Sequence, residues 1–226
     1  MMSNTKYTPG RWAHSPFPLI ETPCGAKSAA GQHGSIYMAH EMAHIHNALL
    51  RSLNAIYNQA SEVKTPKDIT DLLLLTKFWH FEMEDHHSVE EKILFPQLEE
   101  LTGQKGIMDG NIKEHHAFIP GLEALEKYAN ETTPETYNAE KLRSIISSFA
   151  MILQQHLHAE IETLLSLKNY DSDRLISCWH AVHEHVLKNC DKVSFSAIQI
   201  VHLNTQPNFL IEHTTTTVHA FHRSQL

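Results

Sequence analysis

The chain has 226 residues, 42% of them hydrophobic, and a formal net charge of −8. That suffices for one domain with a proper core plus an appendage, and the acidic balance argues against nucleic acid as the main partner. Histidine is in excess, 19 residues against 18 lysines and arginines together, which points to metal binding rather than core filling.

The first 33 residues are polar and proline-rich and lack the apolar h-region of a signal peptide, so none is expected. Residues 1–33 read as an arm lying across the surface of a helical domain. From 34 to about 60, Ala39, Met42, His46, Leu49, Leu53, Ile56 and Ala60 recur at steps of three and four, the spacing of a buried helical seam. Thr65 and Pro66 then read as the N-cap and first position of a second helix. It runs to about 101 with Leu73, His80, Met83, His87, Leu94, Leu98 and Leu101 on its seam, and Pro96 should kink it. The glycines of LTGQKG make a turn. A third helix over about 105–129 carries Met108, Asn111, His115, Phe118, Leu122, Leu125 and Ala129 on its stripe. Thr133 and Pro134 open a fourth, to about 167, with Leu142, Ile145, Phe149, Ile152, His156, Leu164 and Leu167 on the seam.

Long amphipathic helices on short connections pack antiparallel. The predicted fold is all-α, an up-down-up-down four-helix bundle over 34–169. The arm precedes it and a C-terminal extension, 170–226, comes after it. Within the extension DSDRLISCWHAVHEHVLKNC forms a short fifth helix with Leu175, Cys178, Trp179, Val182, Val186 and Leu187 against the bundle. His180, His183, His185, His202, His213, His219 and His222 share no layer there and read as solvated. No run of 18 apolar residues occurs, so no membrane span is expected. Cys24, Cys178 and Cys190 include no CxxC pair, which excludes a thiolate zinc site and fits a reducing compartment, the cytoplasm.

Each of the four helices places one histidine on its apolar stripe: His46, His87, His115 and His156. With helices alternating in direction, all four lie roughly 15–21 Å from the same end of the bundle. Glu91 follows His87 by four and Glu160 follows His156 by four, so each carboxylate shares a face with its histidine. Such a layer suits iron, manganese or zinc, and two carboxylates can bridge a pair of ions. A single core histidine would more often be a hydrogen-bonded packing residue; four in one layer with two carboxylates are a site. His80 lies about 10 Å from His87 along the axis, too far for the same ion. His86 and His116 point about 100° away from their neighbours and read as flanking or surface groups. The alternative frame on the second helix pairs His86 with Glu90.

HEMAH, residues 40–44, matches the zinc-protease signature H-E-x-x-H. Measured from His46 at 100° per residue, His40 lies about 120° and His44 about 160° off the buried stripe, facing solvent or a flanking segment. Asn47 and Leu50 stand where the longer form of the motif needs glycine and histidine. A zinc metalloprotease is the least favoured reading.

His46 on the first helix, HSVEEKILFP on the second, EHHAF on the third and HLHAEIETLL on the fourth together resemble the hemerythrin-like (HHE cation-binding) domains over roughly 34–167. The run AHIHNALLRSLNAIYNQA looks like the fungal branch of that family. The resemblance implies a non-haem di-iron centre, two ions per chain, held by His46, His87, Glu91, His115, His156 and Glu160 and reacting with dioxygen or a similar small ligand. One position departs from it. Hemerythrins proper carry H-x-x-x-H on the third helix, and here the first of those positions is Asn111. Water, the Asn111 oxygen or Glu90 would complete the centre, and an open position favours reactivity over reversible oxygen carriage. The expected function is redox chemistry on a small ligand, with an electron donor or organic substrate unspecified; the alternatives are iron or oxygen sensing or storage, and a zinc-loaded structural bundle.

Overall fold

The computed structural model describes residues 13–189, and every regular element among them is a helix. In chain order these are α1 (Gly34–Gln59), α2 (Pro66–Val89), a π-helical turn (Glu90–Leu94), α3 (Phe95–Thr102), α4 (Asp109–Glu131), α5 (Ala139–Ser166), a 3-10 turn (Leu167–Asn169) and α6 (Ser172–Asn189). Packing closes into a ring: α1 on α2, α2 on α4, α4 on α5 and α5 on α1. The fifth helix of the bundle, α6, lies outside the ring against α1 and α3. Its Leu175, Cys178 and Trp179 are buried as expected, whereas Leu187, beyond the reach of the bundle, is 52% exposed.

The starts follow local chemistry. Thr65 Oγ1 accepts the Asp68 N–H at 3.1 Å, and Pro66 occupies the first turn of α2, where a missing N–H is harmless. Before α4, the Gly106 N–H donates to Glu99 Oε1 at 2.8 Å and holds the chain in a turn, so the helix begins at Asp109 rather than near 105. The expected cap at Thr133 is displaced as well. Residues 133–136 close a turn of their own, in which the Thr136 N–H donates to Thr133 O. Asn138 caps α5 instead, its Oδ1 accepting the Lys141 N–H at 2.8 Å, while the Tyr128 hydroxyl holds both backbone groups of Asn138. The buried stripe of α5 is correspondingly turned: Ile146 and Leu153 are inside, and Ile152 is 40% exposed.

Pro96 does not bend the second helix at a point; the chain accommodates it with the π-helical turn. The pyrrolidine ring cannot donate to the carbonyl four residues back and collides with it. The ladder therefore opens by one residue, and the Phe95 N–H reaches Glu90 O. Leu94 and Leu98 remain fully buried on either side of the step.

Two glycines allow close approach. A Cβ on Gly121 in α4 would stand 2.4 Å from Phe149 Cβ in α5, and one on Gly34 would meet Ser172 O at 2.3 Å. Residues 13–33 follow α1, held by its polar side chains. Asn47 Oδ1 accepts the Ile20 N–H and its Nδ2 donates to Ile20 O, while Asn54 accepts from Phe17 N–H and donates to the carbonyls of Ala13 and Phe17. Asn54 is fully buried, so these bonds form away from competing water. Asn54→Ala removes all three and should destabilise the fold by about 2–4 kcal/mol, read as a lower urea midpoint together with faster proteolytic release of the arm. An unchanged midpoint would show that the arm contributes nothing to the bundle.

Candidate metal centre

The side chains that the ring turns inward meet in two overlapping groups. His46, His86, Glu90 and Glu160 form one, and His87, Glu90, His115 and His156 form the other. Within each, one ligand atom per residue lies within 4.8 Å of every other. Glu90 belongs to both, and Glu160 of the first set also faces the second, 3.3 Å from His46 Nε2 and 4.0 Å from His156 Nε2.

Helix α2 supplies three of these residues from consecutive turns. At about 100° per residue, Glu90 stands some 40° from His86 and 60° from His87, between them. Both imidazoles can therefore flank one carboxylate, His86 facing α1 and His87 facing α4 and α5. The observed contacts agree: His86 Nε2 lies 3.2 Å from His46 Nε2 and 2.9 Å from Glu90 Oε1. The His87 ring lies 4.2 Å from that of His115, centre to centre.

The outer nitrogens are anchored. His46 Nδ1 donates to Leu157 O at 2.9 Å, His115 Nδ1 to Glu91 Oε1 at 2.7 Å and His156 Nδ1 to Glu114 Oε2 at 3.1 Å. With the proton on Nδ1, each Nε2 keeps a bare lone pair directed inward, the arrangement in which imidazole binds metal. His115 Nε2 and His156 Nε2 then face each other at 3.1 Å. Two lone pairs that close repel unless a cation lies between them.

Burial dominates the electrostatics. It pushes the His46 and His87 imidazoles well below the usual histidine range, with neighbouring imidazoles adding to the effect. His156 falls to about 2 for the same reasons. His86 and His115 are lowered by burial too, against the pull of nearby carboxylates. Glu90 moves the other way, well above the ordinary carboxylate range, through burial first and then the charges of Glu160 and Glu91. Burial also raises Glu160, against the pull of His86 and His115. The imidazoles are thus neutral and the carboxylates are the strained partners. Beyond the close approach of His86 Nε2 to Glu90 and the contact of the two glutamates with each other, no donor satisfies the oxygens of Glu90 or Glu160, and His87 Nε2 is without a partner as well. Five lone-pair donors and two carboxylates turned to one buried point fit multivalent cations, whose charge reverses each of these penalties.

The expected residues His46, His87, His115, His156 and Glu160 all enter this centre, with Glu90. Glu91 does not. Its side chain is 35% exposed and holds the outer nitrogen of His115, so it orients a ligand from behind. His86, read from sequence as flanking, faces His46 and belongs to the first group. Asn111 is buried, and the two groups draw a second imidazole from α2, His87 beside His86. The signal for this was the doublet His86-His87 preceding Glu90, which a rule of one seam residue per turn passes over. Phe118 is 1% exposed and lies against His87, His115 and His156 with centroid distances of 5.0–6.0 Å, covering the imidazole layer on one side.

HEMAH has another use. His40 is buried beneath the arm, where its Nδ1 accepts the Cys24 N–H and its Nε2 meets His44 Nε2 at 3.1 Å. Neither residue belongs to a group of three or more metal-binding side chains among the described residues. A protease zinc needs a third ligand, and the motif here finds none. His180 and His183 are exposed on α6; His202, His213, His219 and His222 lie outside the described residues.

Residues 37–167 match the family model described as the hemerythrin HHE cation binding domain. The chain is also 39% identical over 186 residues to a protein named dimeric xanthone biosynthesis cluster protein R11, from Cryptosporiopsis sp. (strain 8999), covering 82% of this chain and 71% of that one. No solved structure matches.

Substitution separates the two glutamates. Glu90→Ala should lose most bound metal, since both groups share it, whereas Glu91→Ala should retain metal with about 10–100-fold weaker affinity. Metal per chain by mass spectrometry decides between them, and equal loss in both variants would put Glu91 back among the ligands. His44→Ala serves as control and should leave metal content unchanged.

Proposed function

The chain belongs to the hemerythrin HHE cation binding family, and on that premise we propose that it is a non-haem iron protein holding two ions and reacting with dioxygen or a related small ligand in redox chemistry. His46, His86, Glu90 and Glu160 would hold one ion and His87, His115, His156 and Glu90 the other, these being the two groups of candidate ligands that meet there. Manganese or zinc could occupy the same donors, but iron supplies reversible one-electron change together with affinity for oxygen.

The observation that carries this reading is the division of labour on each imidazole. The outer nitrogens of His46, His115 and His156 donate to Leu157, Glu91 and Glu114, and the inner nitrogens converge with the two carboxylates. The chain's own contribution is to keep the imidazoles neutral, to hold their ring planes, and to exclude water. Phe118, buried against three of the imidazoles, does the last of these on one side. A dry layer strengthens the hold of the carboxylates on any cation and shields a reactive ligand from solvent.

Two uses follow from the same centre. The relative is named for a dimeric xanthone biosynthesis cluster; on that likeness we propose that an organic substrate or electron donor meets the centre, making this chain an oxidoreductase. The close cover of Phe118 over three imidazoles favours a small ligand on that side, which supports the second use, sensing or storage of iron or oxygen without turnover. No helix among the described residues is long and apolar enough to cross a membrane, and we propose a reducing compartment, the cytoplasm, from the cysteine usage.

The test is metal content of tag-free protein joined to absorption spectra before reduction, after it, and on return to air. About two irons per chain with near-ultraviolet bands that respond to air are the expected result, and consumption of an added reductant or substrate separates enzyme from sensor. Zinc alone with a silent spectrum would refute the oxygen chemistry.

A further inference from the structure

Asn111 is buried in α4, 4% exposed, and its Nδ2 has no hydrogen-bond partner. Two other buried side-chain nitrogens among the described residues share that condition, Arg51 Nε and His87 Nε2. His87 belongs to the centre, and Arg51 lies toward the arm, where its charge acts on His14. A buried N–H without an acceptor is rare in folded proteins and points to a partner that binds there.

The register of the helices locates this donor. Gly121 packs on Phe149, and His115 meets His156. Moving six residues back along α4 therefore moves seven forward along α5, as antiparallel helices require. One further turn, about 6 Å, brings Asn111 level with Glu160. On the other flank His115 already reaches Glu90 with Nε2 and Glu91 with Nδ1, so the same step carries Asn111 to the height of the π-helical turn. Phe118 stands on the opposite side of His115 along α4, over the imidazoles. An unpaired donor thus stands on the buried face of α4 one turn from His115, level with Glu160 and on the side of the centre that Phe118 does not cover.

We propose that Asn111 is a positioning residue for a small anionic ligand of the centre, its Nδ2–H donating to the terminal atom of that ligand. The inference rests on the metal-binding reading above. His87 supplies the imidazole that α4 does not, which leaves the amide free to serve the incoming ligand rather than the ion. A neutral donor in a dry site favours a monoanion carried by the cation over a neutral molecule of the same size, because only the anion strengthens the hydrogen bond with its charge.

Azide is the probe, titrated into iron-loaded protein and followed by the change in visible absorption, with iron per chain measured on the same samples. Wild type is compared with Asn111→Leu, which keeps the volume and removes the donor, and with Asn111→Asp, which turns an acceptor toward the anion. Iron content should be the same in all three. The azide dissociation constant should rise about tenfold in Asn111→Leu and further in Asn111→Asp. Unchanged azide affinity in both variants would overturn the proposal, and so would loss of iron from Asn111→Leu, which would make Asn111 a ligand. A wild-type protein that takes up no iron would refute the metal reading beneath it, a failure visible before any azide is added.

Discussion

The structure is organised around two carboxylates that have no business in a protein interior unless a cation accompanies them. Glu90 is 2% exposed and Glu160 not at all. Desolvating a carboxylate costs several kcal/mol even after relaxation, and here burial pushes His46, His87 and His156 away from the charged form, leaving only the pull of His86 and His115 to offset part of that cost. Without metal, the nearest remedy is a proton held between the two glutamates, the direction in which burial drives both. The metal-free bundle therefore carries a strained layer in its core. Cation binding releases that strain, so the stability of the fold and the occupancy of the centre are linked quantities.

That constraint explains why the rest of the bundle is so tightly fixed. Four helices must present donor atoms to one point within a few ångströms, and hydrogen bonds between neighbouring helices, at that layer and beyond it, tie them together. His46 Nδ1 on α1 holds Leu157 O on α5; Trp79 Nε1 on α2 holds Leu49 O on α1; Glu91, in the π-helical turn, and Glu114, on α4, hold imidazoles of α4 and α5. These bonds cross helix boundaries, so they set register as well as ring orientation. Gly121 lets α4 and α5 come close enough for His115 and His156 to meet.

Much of this is legible in the sequence, and the parts that are not have a common cause. The bundle, the first helix, the Thr65 cap and the histidine on each stripe follow from the three-and-four spacing of apolar residues, which is strong because each helix buries a continuous face. Helix starts are misplaced where a competing turn uses the same residue types, as at Thr133, because the Tyr128 hydroxyl that pins Asn138 lies ten residues away. On one helix the structure groups residues that the seam pattern sets apart. A seam rule admits one residue per turn, and α2 buries His86, His87 and Glu90 together because it faces α1 and α4 at once. Choosing His87 implies Glu91, four residues on; the groups take both histidines, and the carboxylate common to them is Glu90, which stands between the two rings. HEMAH lies off the stripe, as its angular position requires, but its burial under the arm depends on Cys24, which no helical periodicity reports.

The two halves of the centre are built differently, and the difference follows from the group behind each ring. In the three-imidazole group two outer nitrogens rest on carboxylates, Glu91 and Glu114, that reach solvent, with side chains 35% and 43% exposed. In the other group His46 rests on a main-chain carbonyl deep between α1 and α5. A carboxylate behind an imidazole makes it a stronger electron donor than a carbonyl does, while the second group compensates with Glu160 in addition to the shared Glu90. One position is therefore rich in nitrogen and tuned from the surface; the other is rich in charge and sealed. Two ions bound here would not be equivalent, and that inequality originates in α2, where a histidine doublet sends one ring to each side of a single glutamate.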